Sequence, residues 1–292
     1  NLGIYHSEND ESDKALAYFE KAKVIAELNQ DTITLLETYA NIGIEQRYRN
    51  QYAAATSTLK QGIAIAEMQE STILQELMLG NLAGVYIDQN DYASTIDLDK
   101  KALQLVEPLN DDSFLRAPLY NLAYSHNAIG DYEKAMVYID RLIEILARFT
   151  DLDRAFKSYI VKGEILYNQK KYQQALVWFE KSEALLSEIE DKRVEISLWN
   201  NMAKVNLQLD AIEEAKQYAL KANELTTDEF YYRERGIIAD ILFQVAERQG
   251  DFKEALAYHK NFKAYNDSLS AQLKDKELNV LKANREFEKE KE

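Results

Sequence analysis

The sequence predicts an all-α fold, a right-handed α-solenoid (superhelix) of about seven helix pairs, the first truncated, plus a C-terminal helix. Three observations lead to this prediction. The 292 residues include only two prolines and nine glycines, so few residues break helices. Small, aromatic and turn-forming residues recur with a constant period of 40 positions. Apolar residues recur at three- and four-residue spacing on both sides of each turn, which is typical of amphipathic helices.

The 40-residue period divides the chain into repeats of two helices without an insertion or a deletion. One repeat cannot bury its own apolar faces, so neighbouring repeats must stack into a continuous core. We expect the solenoid to span residues 1–266 and a capping or connector helix to span residues 267–292. The expected repeats cover approximately residues 1–30, 31–70, 71–110, 111–150, 151–190, 191–227 and 228–266.

Two rows of small residues mark the expected crossing points, because two helices approach closely only where side chains are absent or short. The row on the second helix of each repeat comprises Ala15, Ala55, Thr95, Ala135, Ala175, Ala215 and Ala255. The row on the first helix comprises Gly3, Gly43, Ala83, Ala123, Gly163 and Ala203. Phe243 continues that row in the last repeat, so we expect looser packing of the last helix pair.

The turn inside each repeat carries residues that tolerate a left-handed backbone. The turn positions are Asp10, Asn50, Asn90, Gly130, Lys170, Asp210 and Gly250. Lys170 is the exception, and we expect its turn to be strained or to close differently. An acid near the start of most first helices can accept hydrogen bonds from unpaired N–H groups. These acids are Asp31, Asp112, Asp151, Asp191 and Asp228.

Residue types that support catalysis are sparse. The absence of cysteine excludes disulfides, thiolate nucleophiles and cysteine metal sites. His6, His126 and His259 fall on packing rows and are not at metal-ligand spacing. There is no nucleophile-elbow motif and no glycine-rich phosphate loop. We therefore expect no enzyme active site, no cofactor and no metal site in this chain.

The formal net charge of −15 argues against a nucleic-acid partner. The last 21 residues hold six basic and six acidic side chains, so the whole negative excess lies on residues 1–271. Such a surface repels a phosphate backbone. No run of about 18 apolar residues is present, so we expect no transmembrane segment within the chain.

Several segments resemble the tetratricopeptide repeat (TPR) family. They are NLAYSHNAIGDYEKA at 121–135, NLAGVYIDQNDYAST at 81–95, KGEILYNQKKYQQALVWFEKS at 162–182 and GDFKEALAY at 250–258, with Trp199 and Ala203 as an aromatic-then-small start. The family's usual period is about 34 residues, so a 40-residue form implies longer helices. The proline that commonly ends a TPR repeat is missing.

The resemblance implies that the first helices line a concave groove that holds extended peptides or partner helices. One row on these helices reads Asn1, Asn41, Asn81, Asn121, Val161, Asn201 and Ile241. Asparagine amides can pair with a peptide backbone without reading its sequence. Alternatively, the asparagines bond between neighbouring first helices and fix the repeat geometry. Both interpretations stay open, and the paired Lys/Asn pattern that clamps a C-terminal carboxylate in some TPR proteins is absent.

Asparagine bonds alone would bind a partner weakly. Each contributes about 0.5–1.5 kcal/mol, whereas micromolar affinity needs about 8 kcal/mol. We therefore expect further contacts from aromatic, apolar and charged side chains of the first helices. The candidate partner-binding residues are Asn41, Asn81, Asn121, Asn201, Tyr48, Ile87, Tyr120, Tyr124, Tyr167 and Lys204.

The C-terminal residues leave the 40-residue register. Leu273, Val280 and Phe287 are seven apart, with Leu269 and Ala283 on a companion row that is broken at Lys276. This weak heptad is compatible with a coiled coil, and hence a homodimer. The alternative is a solvated helix that caps the last repeat.

The segment FKAYNDSLSAQLKDKEL at 262–278 resembles the exit segment of bacterial signalling proteins. In those proteins a TPR array leads to a histidine kinase, a helix-turn-helix regulator or a diguanylate cyclase. The resemblance implies a protein- or peptide-binding sensor region, periplasmic or cytoplasmic, with its output domain beyond Glu292. The alternative is a stand-alone scaffold that assembles protein complexes.

Overall fold

The computed structural model describes residues 2–9, 11–189, 191–226 and 231–291. All regular structure within these ranges is helical, and helices that follow one another within a compact unit pack against each other. The predicted all-α solenoid of TPR-like helix pairs is therefore confirmed. None of the described helices is both long and apolar enough to cross a membrane.

The chain forms two compact units. Unit 1 comprises residues 1–130 and 276–292. Its helices are α1 Leu2–Glu8, α2 Ser12–Asn29, α3 Thr32–Tyr48, α4 Tyr52–Met68, α5 Thr72–Asp88, α6 Tyr92–Val106 and α7 Asp112–Ala128. Unit 2 comprises residues 131–275. Its helices are α8 Tyr132–Leu146, α9 Leu152–Asn168, α10 Tyr172–Glu183, α11 Lys192–Gln208, α12 Ile212–Leu225, α13 Tyr232–Gln249 and the first part of α14 Phe252–Lys291.

The small-residue rows lie where first and second helices of a repeat touch. All seven residues of the second-helix row, from Ala15 to Ala255 in steps of 40, are buried. On the first helices, a Cβ at Gly43 would lie 2.7 Å from Leu59 Cδ2, and a Cβ at Gly163 would overlap the Phe179 ring. Glycine is required at these positions because the partner side chain fills the space that a methyl group would occupy.

In the last helix pair the bulky Phe243 stands where the other repeats have a small residue, and whether this pair packs more loosely stays a prediction. The Phe243 ring lies 5.3 Å from the ring of His259, and His259 in turn lies 6.3 Å from Phe262. His259 is exposed, so it is not a core residue. His126, by contrast, is buried in α7, and His6 is half-buried against Tyr18 and Glu11.

The turns within the repeats adopt the predicted left-handed backbone. The φ angle is positive at every described turn position, including Asn50, Asn90 and Gly130. Lys170 has a φ of 61°, so its turn closes like the others and the expectation of a different closure is wrong. The turns between repeats also use left-handed residues, at Gln30, Glu70 and Asn110.

The predicted acidic caps are largely correct. Asp31, Asp151 and Asp191 each accept a hydrogen bond from a backbone N–H in the first turn of the following helix. At α7 the cap is Asp111 and not Asp112, because Asp111 accepts from the Ser113 N–H while Asp112 is already helical. Asp10, Asp228 and Asn1 lie outside the described residues.

Each unit has its own core. In unit 1, Leu36, Tyr39, Leu59, Met78 and Leu82 belong to one buried cluster. In unit 2, Phe156, Phe179, Trp199, Met202 and Leu242 belong to another. These apolar side chains come from successive helices, so burial of one repeat depends on its neighbours.

The C-terminal part of α14 contributes to unit 1. Val280 is half-buried and packs against the unit 1 cluster. Leu273, on the same heptad row, is exposed. The side chains of Ala283 and Phe287 lie outside the described residues. Dimerisation through this heptad stays a prediction.

Candidate functional site

The first helices of successive repeats contact one another directly. In unit 1, α3 packs against α5 and α5 against α7; in unit 2, α9 packs against α11 and α11 against α13. Among the described residues, contacts between successive second helices are weaker. The first helices therefore form the inner, more closely spaced side of each unit. We call their solvent-facing side the first-helix face.

A cavity of about 290 Å³ opens on the first-helix face of unit 2. It is lined by α9, α11, α13 and α14, and its lining includes the predicted residues Tyr167 and Lys204. The other lining residues are Leu207, Gln208, Arg233, Gly236, Ile237, Asp240, Ile241, Gln244, Phe262, Asn266 and Leu269. The combination of apolar walls with a few charged and amide groups is typical of ligand-binding cavities.

Charged groups of both signs surround this cavity. Burial lowers the pKa of the Lys204 amine, while the charges of Glu164 and Asp240 oppose that shift and Arg233 adds to it. Burial raises the pKa of the Glu164 carboxyl, and a hydrogen bond from Asn201 Nδ2 to Glu164 Oε1 at 2.8 Å opposes that shift. Lys204 is thus a partly desolvated amine, and such an amine gains more from an anionic partner than one in water does.

The predicted asparagines have different surroundings. Asn201 bonds to Glu164 of the preceding first helix, and Asn121 Nδ2 donates to Asp99 Oδ1 at 3.3 Å. Asn81 Nδ2 donates to the carbonyl of Leu77 in its own helix at 2.9 Å. Asn41 lines a second cavity of about 390 Å³ between α1, α2 and α3. Asn201 thus bonds to a neighbouring first helix, whereas Asn121 bonds to Asp99 on the second helix α6. The role of the four asparagines in partner binding stays a prediction.

The remaining predicted residues of unit 1 lie on α3, α5 and α7. Tyr48 is 66% exposed at the end of α3, and Ile87 is half-buried at the end of α5. Tyr120 and Tyr124 are half-buried on α7, and the Tyr124 ring lies 6.3 Å from the ring of Tyr92. Only Tyr167 and Lys204, among the predicted set, line the unit 2 cavity in the described part of the chain.

An ion pair fixes part of the unit 1 face. Arg47 Nε donates to Asp88 Oδ2 at 2.7 Å, and Arg47 Nη2 donates to Asp88 Oδ1 at 3.1 Å. A Cβ at Gly84 would lie 2.5 Å from Arg47 Nη1, so the guanidinium lies directly against the α5 backbone. This bidentate contact links two successive first helices.

Sequence reasoning missed the contributions of Arg233 and α14 to the cavity. Arg233 lies in the first turn of α13, away from the asparagine row. Phe262, Asn266 and Leu269 follow the last repeat, where the 40-residue register gives no position to compare. The described residues hold no group of three His, Cys, Asp or Glu side chains placed to bind a metal ion.

Two segments match family profiles described as tetratricopeptide repeat, residues 74–148 and 196–229. The chain contains tetratricopeptide repeats. Proteins built from TPR repeats are in general non-catalytic binding modules. No curated protein sequence matches the chain.

Solved structures of TPR-like proteins share the fold. Aspartyl phosphate phosphatase F from Bacillus subtilis is 20% identical, with a TM-score of 0.68 over 91% of this chain and 68% of that chain. A Rap protein complexed with competence and sporulation factor is 15% identical, with a TM-score of 0.63 over 93% and 74%. PilW, a type IV pilus biogenesis factor, is 14% identical, with a TM-score of 0.61 over 79% and 93%. At these identities the likeness shows the fold alone.

Proposed function

We propose that this TPR chain binds an extended segment of a protein or peptide along its first-helix face, with the unit 2 cavity receiving side chains of that segment. The observation that carries the proposal is the cavity itself, in which Tyr167 and Lys204 meet apolar walls. At about 290 Å³ it lies near the lower end of the size range of ligand cavities. It therefore suits a few side chains of a longer ligand.

The contacts that would supply the binding energy differ along the first-helix face. The cavity offers Leu207, Ile237, Ile241 and Phe262 for apolar contact. Burial of apolar surface contributes about 25 cal/mol per Å², so two well-buried side chains supply several kcal/mol. Lys204 adds a partly desolvated charge. Together these contributions approach the value of about 8 kcal/mol that micromolar affinity requires.

The finer role that we propose is that of a sensor or interaction region in a bacterial signal-transduction protein. The resemblance of residues 262–278 to exit segments of such proteins supports this role. So does the structural likeness to a Rap protein that was crystallised with competence and sporulation factor. A change in the bound segment would act on α14 directly, because α14 supplies part of the cavity wall.

A stand-alone scaffold is the second candidate, and the second cavity favours it. Unit 1 has its own cavity of about 390 Å³, lined by apolar side chains that include Leu2, Ile4 and Ile25. A chain with a binding cavity in each unit could hold two partners at once. Mass measurement of a ternary complex, by light scattering with two identified partners, would separate a scaffold from a single-ligand sensor.

Selection from displayed peptides tests the proposed binding. A library of random 12-residue peptides, each followed by a linker, is panned on the full chain and on two variants. In Gln208→Trp, a large side chain enters the cavity mouth; in Lys253→Trp, the same side chain is added at an exposed position away from the cavity. We expect enrichment on the wild type and on Lys253→Trp, and at least a tenfold weaker Kd on Gln208→Trp. Enrichment that Gln208→Trp leaves unchanged would refute the cavity as the binding site.

A further inference from the structure

Two cations and one acid line the unit 2 cavity, and a second acid, Glu164, lies close enough to act on both cations. Lys204 of α11 and Arg233 of α13 both line it, whereas Asp240 is the one acidic residue among the lining residues. Asp240 already accepts a hydrogen bond from Gln244 Nε2 at 2.8 Å. In the described part of the chain, neither Lys204 nor Arg233 has a carboxylate within ion-pair distance. Two cations that converge on one cavity are unusual in a chain with a net charge of −15.

Burial and the neighbouring charges act on the Lys204 amine in opposite directions. Glu164 and Asp240 stabilise the ammonium at longer range, while Arg233 and burial act against it. An anion that enters the cavity would restore what burial removes, because charge-assisted hydrogen bonds are about twice as strong as neutral ones. The cavity is therefore complementary to a negative group.

The same cavity offers apolar and amide groups beside the cations. Ile237, Phe262 and Leu269 provide apolar wall, and Gln208 and Asn266 provide side-chain amides from two different helices. An amide can both donate to and accept from a peptide backbone. A peptide backbone that passes through the cavity and continues on both sides could bond to both amides. A peptide that ends in the cavity would have no backbone beyond it to reach the second amide.

We propose that the unit 2 cavity selects an internal Asp or Glu side chain that is flanked by a large apolar residue, with Lys204 and Arg233 binding the carboxylate and the walls of α13 and α14 holding the apolar neighbour. This inference rests on the proposed function, since it names the class of segment that the first-helix face binds. It makes Lys204 and Arg233 the specificity-determining residues of the cavity.

The composition of the selected peptides tests this inference. The displayed 12-residue library presents internal segments only, because a linker follows each peptide. We expect Asp or Glu next to Leu, Ile, Phe or Met among peptides enriched on the wild type, and loss of the acidic preference on Lys204→Gln/Arg233→Gln. The matched control is Lys192→Gln/Lys260→Gln, which removes the same charge at exposed positions outside the cavity and should keep the preference.

Affinities of one enriched acidic peptide, with both ends capped, complete the test. We expect its Kd to rise about 10- to 100-fold on Lys204→Gln/Arg233→Gln, and by a similar factor when its acid is replaced by the amide. Peptides enriched without an acidic preference, or a preference that the double variant retains, would overturn this inference and leave the proposed function standing. No enrichment on the wild type would overturn both. Circular dichroism of each variant confirms that it is folded.

Discussion

Asn121 donates its side-chain amide to Oδ1 of Asp99 at 3.3 Å, across the boundary between two successive repeats. Asp99 is fully buried, and its Oδ2 has no hydrogen-bond partner among the described residues. The same position in most other repeats holds an apolar side chain, as at Leu59, Ile139 and Phe179. A half-satisfied carboxylate thus replaces an apolar core residue, which is unfavourable for folding.

Replacing Asp99 with asparagine is expected to stabilise the protein at neutral pH. Burial raises the pKa of Asp99 well above its usual value, the Asn121 hydrogen bond opposes this, and Glu76 adds to it. Because the folded state binds this proton more tightly, stability is greatest below the unfolded pKa of about 3.9 and falls as pH rises to the folded pKa. Asparagine keeps the contact with Asn121 and carries no charge. The gain from Asp99→Asn should therefore be near zero at the acid end and grow with pH.

Urea denaturation of both proteins across this pH range measures the difference. Groups that do not interact with Asp99 change stability equally in both proteins and cancel. A gain that does not vary with pH would contradict the raised pKa of Asp99.

Gly163→Ala is expected to destabilise the protein by about 1–3 kcal/mol, because the added Cβ would overlap the buried Phe179 ring. Gly80→Ala is the matched control. Its Cβ would come no closer than 3.9 Å to the nearest atom, Glu76 Oε1, so alanine should stabilise α5 by about 0.5–1 kcal/mol. Thermal or urea unfolding measures the stability of both variants. Equal changes in stability would show that the close approach of Gly163 to Phe179 does not restrict the side chain at position 163.

The cost of Gly163→Ala should shrink when Phe179 is changed to a smaller residue. Other repeats with alanine at the glycine position carry Asp99, Ile139 or Ala219 in the Phe179 register, and none of these is as large as phenylalanine. A double-mutant cycle with Phe179→Leu should therefore show a coupling above about 0.5 kcal/mol. If the stability changes of the two single variants simply add, the cost of Gly163→Ala does not come from contact with Phe179.

Lys170→Gly is expected to stabilise the protein by roughly 1 kcal/mol. Lys170 holds a left-handed backbone with a φ of 61°, a conformation that costs a non-glycine residue about 1–2 kcal/mol. Glycine adopts it without a Cβ penalty but loses more chain entropy on folding. The reverse change, Gly130→Lys, should destabilise by a similar amount, since Gly130 has a φ of 81°. Chemical denaturation measures both, and no change in either would contradict this account.

We expect some asparagines of the row to stabilise the fold and others to bind the partner. Asn201→Ala leaves Glu164 without its amide donor and should cost about 1–3 kcal/mol of stability. Asn81→Ala removes a bond to the Leu77 carbonyl in the same helix, so it should change stability little. If Asn81 binds the partner backbone, its loss should weaken peptide affinity by about tenfold without lowering the melting temperature. Two variants with the same stability cost would contradict this division.

Most of the fold follows from the sequence because its repeats are in register. The glycine and alanine rows, the left-handed turns at Asn50 and Asn90, and the cap at Asp31 each follow from one local physical rule. The turn at Glu70 could not be predicted in this way, because glutamate has no preference for a left-handed backbone.

The cavity was harder to predict than the fold. Tyr167 and Lys204 could be placed on first helices by register, but nothing in the repeat placed Phe262 and Leu269 opposite them. The packing of Val280 against the unit 1 cluster could not be predicted from nearby residues either. A heptad position predicts that a side chain is buried, but not which residues bury it. Long-range placement of a segment outside the repeat depends on tertiary packing.

The central claim is that the first-helix face binds the ligand, and hydrogen exchange tests it most directly. A peptide enriched on the full chain is added at saturation, and backbone amide exchange is followed by mass spectrometry with and without it. We predict slower exchange in the described parts of α9, α11, α13 and α14 next to the cavity, and little change in the second helices α10 and α12. Protection confined to α10 and α12, with none around Tyr167 and Lys204, would contradict the account.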